Sequence, residues 1–111
     1  MQHVTREQGG LVVVAFEGEI DLESSPQARR VLLESVGRGQ GVLVDLAQVS
    51  YIDSSGIASL VEAFQASRRG GHRFALVSPS ESARRVLELG RLDKVFPIHA
   101  SLAEGLGGGG R

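Results

Sequence analysis

The sequence contains no cysteine and no long apolar run. Without cysteine, the chain has no disulfide, no thiolate nucleophile and none of the commonest zinc ligand sets, which is compatible with a reducing compartment. No apolar run approaches the ~20 residues that cross a bilayer, and the first residues, MQHVTR, lack the apolar core of a signal peptide. These absences predict a cytoplasmic protein that does not insert into a membrane.

The chain also lacks an excess of charge, with 12 Lys and Arg against 13 Asp and Glu. Basic and acidic residues alternate without forming a basic stripe, so the sequence offers no electrostatic footprint for nucleic acid or for an anionic membrane. The length of 111 residues fits one domain, and the apolar content is sufficient for a single core. We expect one domain at residues 1–104 and a flexible glycine-rich tail at residues 105–111.

Short apolar runs typical of buried strands alternate with helical patterns along the chain. Residues 11–16, 41–46 and 74–77 have this composition, a short strand is expected near 96–98, and residues around 3–7 suit a hairpin partner for the first strand. Strands that alternate with helices pair in parallel through right-handed crossovers. The pattern therefore predicts an α/β domain with a mostly parallel sheet, a leading antiparallel hairpin and packed helices.

Three helices are predicted from capping residues that precede apolar residues at one-face spacing. Ser25 is the expected N-cap of the first helix, with Pro26 at its first helical position. The second helix begins in the turn that follows Asp53. The third is expected to begin at a capping box formed by Ser78 and Glu81.

Few residues have the arrangement that catalysis or metal binding requires. His3, His72 and His99 are scattered along the chain and have no metal-ligand spacing. Ser54 and Ser55 do not lie in the Gly-x-Ser-x-Gly motif of a nucleophile elbow. The sequence therefore predicts no catalytic residue, no metal site, no cofactor and no enzymatic activity.

Residues 51–57, with the sequence YIDSSGI, form the most informative turn of the chain. A strand-like run ends in two serines and a glycine before a helical pattern begins, and Tyr51 is assigned to the core. A short turn of this kind exposes serine hydroxyls beside the first unpaired N–H groups of the helix, where a partner can reach them. Capping of the helix by Ser54 or Ser55 is the alternative. Asp53 has the same two interpretations, a cap hydrogen bond or a functional role.

Several segments of the sequence together resemble the STAS domain, the family of bacterial anti-sigma factor antagonists. Residues 44–57, with the sequence VDLAQVSYIDSSGI, are similar to the family signature, and GEID at 18–21 is similar to its Gly-x-Leu/Ile-Asp segment. Residues 76–80, 86–89 and 92–98 are similar to the C-terminal half of the family. The resemblance covers nearly the whole chain and implies a STAS-type fold.

The resemblance also implies a regulatory function and a set of site residues. The serine directly before the glycine is phosphorylated in this family, which implies Ser55 as the phosphorylation site. The unphosphorylated form would bind an anti-sigma factor and so release a sigma factor. Asp21 would lie near the phosphorylated serine. The implied partner-binding residues are Asp21, Asp53, Ser54, Ser55, Gly56 and Ile57.

The same resemblance implies two enzymes as partners. The anti-sigma factor would itself be a serine kinase with a histidine-kinase-like ATPase fold, and a PP2C-type, metal-dependent serine phosphatase would remove the phosphate. Two alternatives remain open. One is a STAS subunit of a lipid-transport ABC system, and the other is a small-ligand or nucleotide-binding domain that uses the serine turn as an anion site.

Overall fold

The computed structural model describes residues 1–107 and shows a five-stranded sheet with helices on both faces. The sheet has the order β1-β2-β3-β4-β5, in which β1 and β2 are antiparallel and the other neighbours are parallel. The predicted fold class is therefore confirmed. In chain order the elements are β1 (Gln2–Gln8), β2 (Leu11–Ile20), α1 (Ser25–Val36), β3 (Val42–Ile52), α2 (Ser54–Arg69), β4 (Phe74–Val77), α3 (Glu81–Leu89), a 3₁₀ turn (Leu92–Lys94), β5 (Ile98–His99) and α4 (Leu102–Gly107).

Three helices cover one face of the sheet, and one short helix covers the other. In β2, the side chains of Val12 and Val14 join the larger core with α1, α2 and α3, whereas Val13 joins a smaller core beneath α4. This alternation buries both faces of the central strands, which explains why their sequences are continuous apolar runs. The smaller core consists of Val13, Leu43, Ala75 and Val77, against which Leu11, Leu102 and Leu106 pack.

The leading hairpin depends on two glycines. Gly9 and Gly10 have φ angles of 62° and 79°, which are in the left-handed region. Two consecutive positive φ angles define a type I′ turn, the two-residue connection that matches the twist of paired strands. The turn joins Gln8 to Leu11, which pair directly across it.

Both central strands are longer than predicted. β2 continues to Ile20 and β3 to Ile52, past the predicted ends at residues 16 and 46. Register shifts in the pairing of β2 with β3 interrupt the alternation of buried and exposed residues, which concealed the continuation of both strands in the sequence pattern. The assignment of Tyr51 to the core is wrong: the residue is 49% exposed, because neighbouring Ile52 is the one that enters the core.

Two helices begin at serines other than the predicted ones. The N-cap position of α1 falls on Ser24 and not on Ser25, and the Ser24 side chain makes no cap hydrogen bond to the helix. The N-cap of α3 is Ser80, whose hydroxyl accepts from the backbone N–H of Ala83 at 3.1 Å. Ser78 cannot take this position because its φ of 51° places it in a left-handed turn outside the helix. Adjacent serines are equivalent in the sequence, and only the backbone path selects the one that caps.

Helix α4 covers the smaller core and continues past the predicted end of the domain at residue 104. Gly105 is buried there, and a Cβ at this position would lie 2.6 Å from Cγ1 of Val77, so glycine permits the close contact. The structure therefore differs from the predicted tail over residues 105–107, which belong to the helix. Residues 108–111 of that tail lie outside the described residues.

Candidate functional site at the carboxyl ends of β2 and β3

The carboxyl ends of β2 and β3 lie side by side, because Ile20 pairs with Ile52. An aspartate follows each strand, Asp21 after β2 and Asp53 after β3, and a helix begins a few residues later in both cases. The backbone N–H of Asp53 donates to the carbonyl of Ile20 at 3.3 Å, which links the two ends. Open α/β sheets place their binding sites at this edge. The structure therefore brings Asp21 and residues 53–57 to one edge of the sheet.

Asp53 is the N-cap of α2. Its carboxylate accepts from the backbone N–H of Ser55 at 2.9 Å and of Gly56 at 3.2 Å. Its own backbone is extended, with φ −113° and ψ −171°, as an N-cap residue requires. A carboxylate is also favourable beside the positive end of the helix dipole. The capping interpretation of the turn therefore applies to Asp53 and not to either serine.

The hydroxyls of Ser54 and Ser55 are free in the first turn of α2. Ser54 is exposed and Ser55 is half-buried. Within residues 1–107 neither hydroxyl makes a hydrogen bond, although the backbone carbonyl of Ser55 accepts from the hydroxyl of Ser59 at 3.2 Å. Both hydroxyls lie at the helix end where N–H groups and the dipole favour an anion.

Gly56 allows α2 to begin directly against both strand ends. A Cβ at this position would lie 2.7 Å from Cγ1 of Ile52 and 2.8 Å from the carbonyl oxygen of Ile20. Both distances are shorter than van der Waals contact, so only glycine permits this approach. Gly56 is buried, and its contribution to the site is to position the serines. Ile57 is half-buried and packs against the larger core.

The carboxylate of Asp21 is engaged in the turn that starts α1. Its Oδ1 accepts from the backbone N–H of Glu23 at 3.1 Å and of Ser24 at 3.0 Å, and it lies 3.1 Å from the Ser24 hydroxyl. These hydrogen bonds, those from Ser24 above all, lower the pKa of Asp21 because they stabilise the charged form. Among the described residues, Asp21 makes no hydrogen bond to Ser55 and therefore does not orient its hydroxyl.

Two exposed apolar side chains flank the same strand ends, and sequence reasoning missed both. Leu22 is 72% exposed and Tyr51 is 49% exposed. Leu22 follows Asp21 in the loop to α1, and Tyr51 pairs with Glu19 of β2 near the end of β3. Apolar surface of this kind, rimmed by polar groups, is typical of protein interaction sites. Recognition that β3 extends to Ile52 would have placed Tyr51 on the face opposite the larger core.

Other polar residues of the described chain make local contacts. Asp45 accepts from the backbone N–H of Ala47 at 3.0 Å, a short-range turn bond. The half-buried ring of His99 lies 3.2 Å from a guanidinium nitrogen of Arg73. Residues 1–107 contain no group of three His, Asp or Glu side chains that could hold a metal ion. None of the helices between these limits combines the length and the apolar composition needed to span a bilayer.

Comparisons with known proteins find one family. The family model of the STAS domain matches residues 2–105. The anti-sigma-B factor antagonist of Bacillus subtilis (strain 168) is 30% identical over 95 residues, which cover 86% of this chain and 87% of that protein. An anti-sigma factor antagonist from Mycobacterium paratuberculosis superposes with a TM-score of 0.87 at 25% identity, over 96% of this chain and 92% of that one. The anti-sigma factor antagonist SpoIIAA in its unphosphorylated form gives 0.78 at 19% identity over 95% and 93%, which shows the fold alone.

The match over nearly the whole described chain shows that this protein belongs to the STAS domain family. The resemblance noted in the sequence is therefore confirmed. The relatives above are named as antagonists of anti-sigma factors, which is a regulatory function and not an enzymatic one.

Proposed function

We propose that this protein is an anti-sigma factor antagonist that is switched by phosphorylation of Ser55. The observation that carries the proposal is the arrangement at the start of α2, where Asp53 caps the helix and the serine hydroxyls stay free. Ser55 stands directly before Gly56, the position that is phosphorylated in the family. Relatives named anti-sigma factor antagonists support the general role.

The unphosphorylated form offers a partner an uncharged hydroxyl at Ser55. An anti-sigma factor that packs against the surface around this hydroxyl would be prevented from holding its sigma factor. Leu22 and Tyr51 supply exposed apolar area near the same strand ends, Tyr51 on the face of the sheet opposite α2. Gly56 lets the start of α2 lie directly against the ends of β2 and β3, which positions the serines in this surface. The proposed contact residues are Asp21, Asp53, Ser54, Ser55 and Ile57.

Phosphorylation of Ser55 would add about −1.5 to −2 charges to this edge. The helix N-terminus accommodates the group within the protein, but an interface fitted around a neutral hydroxyl does not. A like charge on the partner at ~4 Å costs about 1 kcal/mol in water and about 4 kcal/mol at an effective dielectric constant of 20. Because about 1.4 kcal/mol is already tenfold in affinity, one phosphate is enough to release the partner.

Two partner enzymes would operate the switch. An anti-sigma factor that is also a serine kinase, with a histidine-kinase-like ATPase fold, would transfer the γ-phosphoryl group of ATP to Oγ of Ser55, with loss of the hydroxyl proton and release of ADP. A PP2C-type serine phosphatase would hydrolyse the phosphoserine. The protein itself would be a substrate and a binding module, with no catalytic residue, cofactor or metal of its own.

Phosphate transfer tests the assignment of the site. The protein is incubated with the cognate kinase and ATP, and the phosphopeptide is located by mass mapping. Ser55→Ala should abolish phosphate uptake, whereas Ser54→Ala, the matched control one residue away, should leave it unchanged. Phosphate on Ser54, or unchanged uptake by Ser55→Ala, would contradict the assignment.

Binding tests the switch. In calorimetric titrations with the anti-sigma factor, Ser55→Ala should retain the affinity of the wild type, and Ser55→Asp should weaken it by about tenfold. Aspartate carries less charge than phosphate, so a partial effect is expected. Equal affinities of the two variants would contradict the switch. In that case, binding to a transporter ATPase subunit would favour the ABC alternative, and saturable nucleotide binding would favour the ligand-binding alternative.

A further inference from the structure

The two edges of the sheet differ strongly. β5 has only two residues, whereas β1 has seven, and all seven pair with β2 in unbroken register. Natural edge strands are commonly shielded by proline, by a bulge, by their short length or by charged side chains, and of these β1 has only the charged side chains of Arg6 and Glu7. β1 contains no proline, no glycine and no register shift. Within the described residues it therefore presents a long, regular edge with unpaired backbone groups.

The hairpin turn determines which backbone groups of β1 face this open edge. The type I′ turn joins Gln8 to Leu11, so these two residues form the hydrogen-bonded pair next to the turn. Hydrogen bonding alternates along an antiparallel pair, so every second residue from Gln8 back to Gln2 directs its N–H and C=O toward β2. The residues that direct these groups outward are His3, Thr5 and Glu7.

We propose that β1 pairs with the β1 of a second copy of this chain, antiparallel, about a two-fold axis through Thr5. In this register Thr5 lies opposite Thr5 of the second copy, and His3 lies opposite Glu7 at both ends. All three outward-facing residues then fall in hydrogen-bonded pairs, each of which exchanges both backbone hydrogen bonds. The two sheets become one continuous sheet.

The side chains are self-complementary in this register. The imidazole of His3, a hydrogen-bond donor in either tautomer, lies across from the carboxylate of Glu7. Val4, which is 61% exposed in the single chain, lies across from Arg6 of the second copy, whose aliphatic stem can cover it. Glu7 is exposed and makes a loose ion pair with Arg38 at 3.8 Å, so its carboxylate remains accessible. A shift of the register by one residue would lose both the backbone pairing and these contacts.

This interface is separate from the serine turn and does not rest on the phosphorylation switch. β1 follows β2 no further than Glu17, whereas the serine turn lies beyond Ile52 at the end of β3. The dimer would leave both copies of Ser55 free for a partner.

Sedimentation equilibrium of the full chain over a wide concentration range tests the dimer. The wild type should show twice the monomer mass at high concentration. Thr5→Pro removes an outward N–H while sparing the hydrogen bonds to β2, and should raise the dimer Kd at least tenfold, with an unchanged melting temperature at concentrations where the wild type is monomeric. Thr5→Val keeps the N–H and should dimerise as the wild type does. A wild type that stays monomeric into the millimolar range, or a Thr5→Pro variant that dimerises normally, overturns the proposal.

A charge exchange tests the register independently of proline. His3→Glu should weaken the dimer because it places a second carboxylate opposite that of Glu7, and Glu7→Lys should weaken it because it removes the carboxylate opposite His3. The double variant places glutamate opposite lysine at both ends and should restore the dimer. If the single variants acted only through the ion pair between Glu7 and Arg38, the double variant would not restore the dimer. Additive weakening in the double variant would contradict the pairing about Thr5.

Discussion

The helices α1 and α2 begin with similar residues at the same edge of the sheet, but the serine hydroxyl is hydrogen-bonded at α1 and free at α2. At α1, the Ser24 hydroxyl accepts from the N–H of Asp21 at 2.9 Å and lies 3.0 Å from the carbonyl of Glu19. At α2, the hydroxyls of Ser54 and Ser55 make no hydrogen bond within residues 1–107. An aspartate followed by serines can therefore build a closed turn or leave the serine hydroxyls without a hydrogen-bond partner in the described chain.

The spacing between aspartate and serine explains the difference. Asp21 stands three residues before Ser24, so its carboxylate and the serine hydroxyl close a turn on each other. Asp53 stands directly before two serines, and its carboxylate caps the helix alone. The serines then lie inside the first turn, where side chains project outward and the backbone N–H groups of Ser55 and Gly56 are already satisfied by Asp53.

The largest effect on stability is expected from Gly56→Ala, which adds a Cβ where the start of α2 lies directly against the ends of β2 and β3. The added Cβ would meet Ile52 and the carbonyl of Ile20 within 2.8 Å. Overpacking of this kind costs about 1–3 kcal/mol in the free energy of unfolding, measured in urea. Gly37→Ala is the matched control, because its Cβ would lie 3.4 Å from the nearest atom at a helical φ of −66°. Equal losses in the two variants would contradict the packing argument.

An intermediate effect on stability is expected from Ser24→Ala, because the Ser24 hydroxyl is hydrogen-bonded. A smaller one is expected from Ser55→Ala, because that hydroxyl makes no hydrogen bond within residues 1–107. Ser24→Ala removes a hydroxyl with hydrogen bonds on both sides and should lower the free energy of unfolding by about 1 kcal/mol. Ser55→Ala should change it by less than about 0.5 kcal/mol. Chemical unfolding of both variants under one condition measures the contrast. A larger loss for Ser55→Ala would show that its hydroxyl has a structural role.

The smallest effect is expected from Asp21→Asn: a slight loss of stability at neutral pH that disappears in acid, where the wild-type carboxyl is protonated. Because the folded protein holds the pKa of Asp21 below its ordinary value, the unfolded chain binds this proton first as the pH falls. The stabilisation is therefore complete well above about pH 4 and is lost as the pH falls through the lower pKa of the folded state. The carboxamide accepts the same hydrogen bonds without titrating, so the variant should lose less stability between pH 7 and pH 3. Identical losses would rule out this contribution of Asp21.

The same experiment separates a structural from a functional role of Asp21. We expect the variant to lose little of its melting temperature at neutral pH, because the amide oxygen can close the same turn and only the charge is removed. Loss of phosphorylation or of partner binding would then support a place for Asp21 in the partner surface. Native phosphorylation and native binding would restrict Asp21 to the turn.

The topology could be predicted from the sequence because each apolar run is bounded by glycine, proline or a capping residue. The ends of β2 and β3 could not, because bulged strands lose the strict alternation on which strand prediction relies. The exposure of Tyr51 was missed for the same reason. The N-cap positions at Ser24 and Ser80 were each misplaced among neighbouring serines, since the sequence does not show at which serine the backbone turns into the helix.

The position of the site was predictable, but its hydrogen bonding was not. The turn around Ser55 is marked by an abrupt change from apolar to small polar residues. Whether Asp53 or a serine caps the helix depends on the backbone angles at Asp53, which have no sequence signature of their own. The same holds for Asp21, whose carboxylate points into its own turn.

Three helices cover one face of the sheet and α4 alone covers the other within the described residues, so the attachment of α4 controls the tendency to aggregate. Helix α4 has six residues, and a helix of this length does not persist once it leaves the sheet. Its departure would uncover Val13, Leu43, Ala75 and Val77 while the three longer helices stay in place. We therefore expect partial unfolding to begin at α4 and to expose an aggregation-prone apolar patch while the rest of the fold stays native. A chain shortened to residues 1–104 would lose half of this helix and should precipitate at concentrations where the full chain stays dissolved.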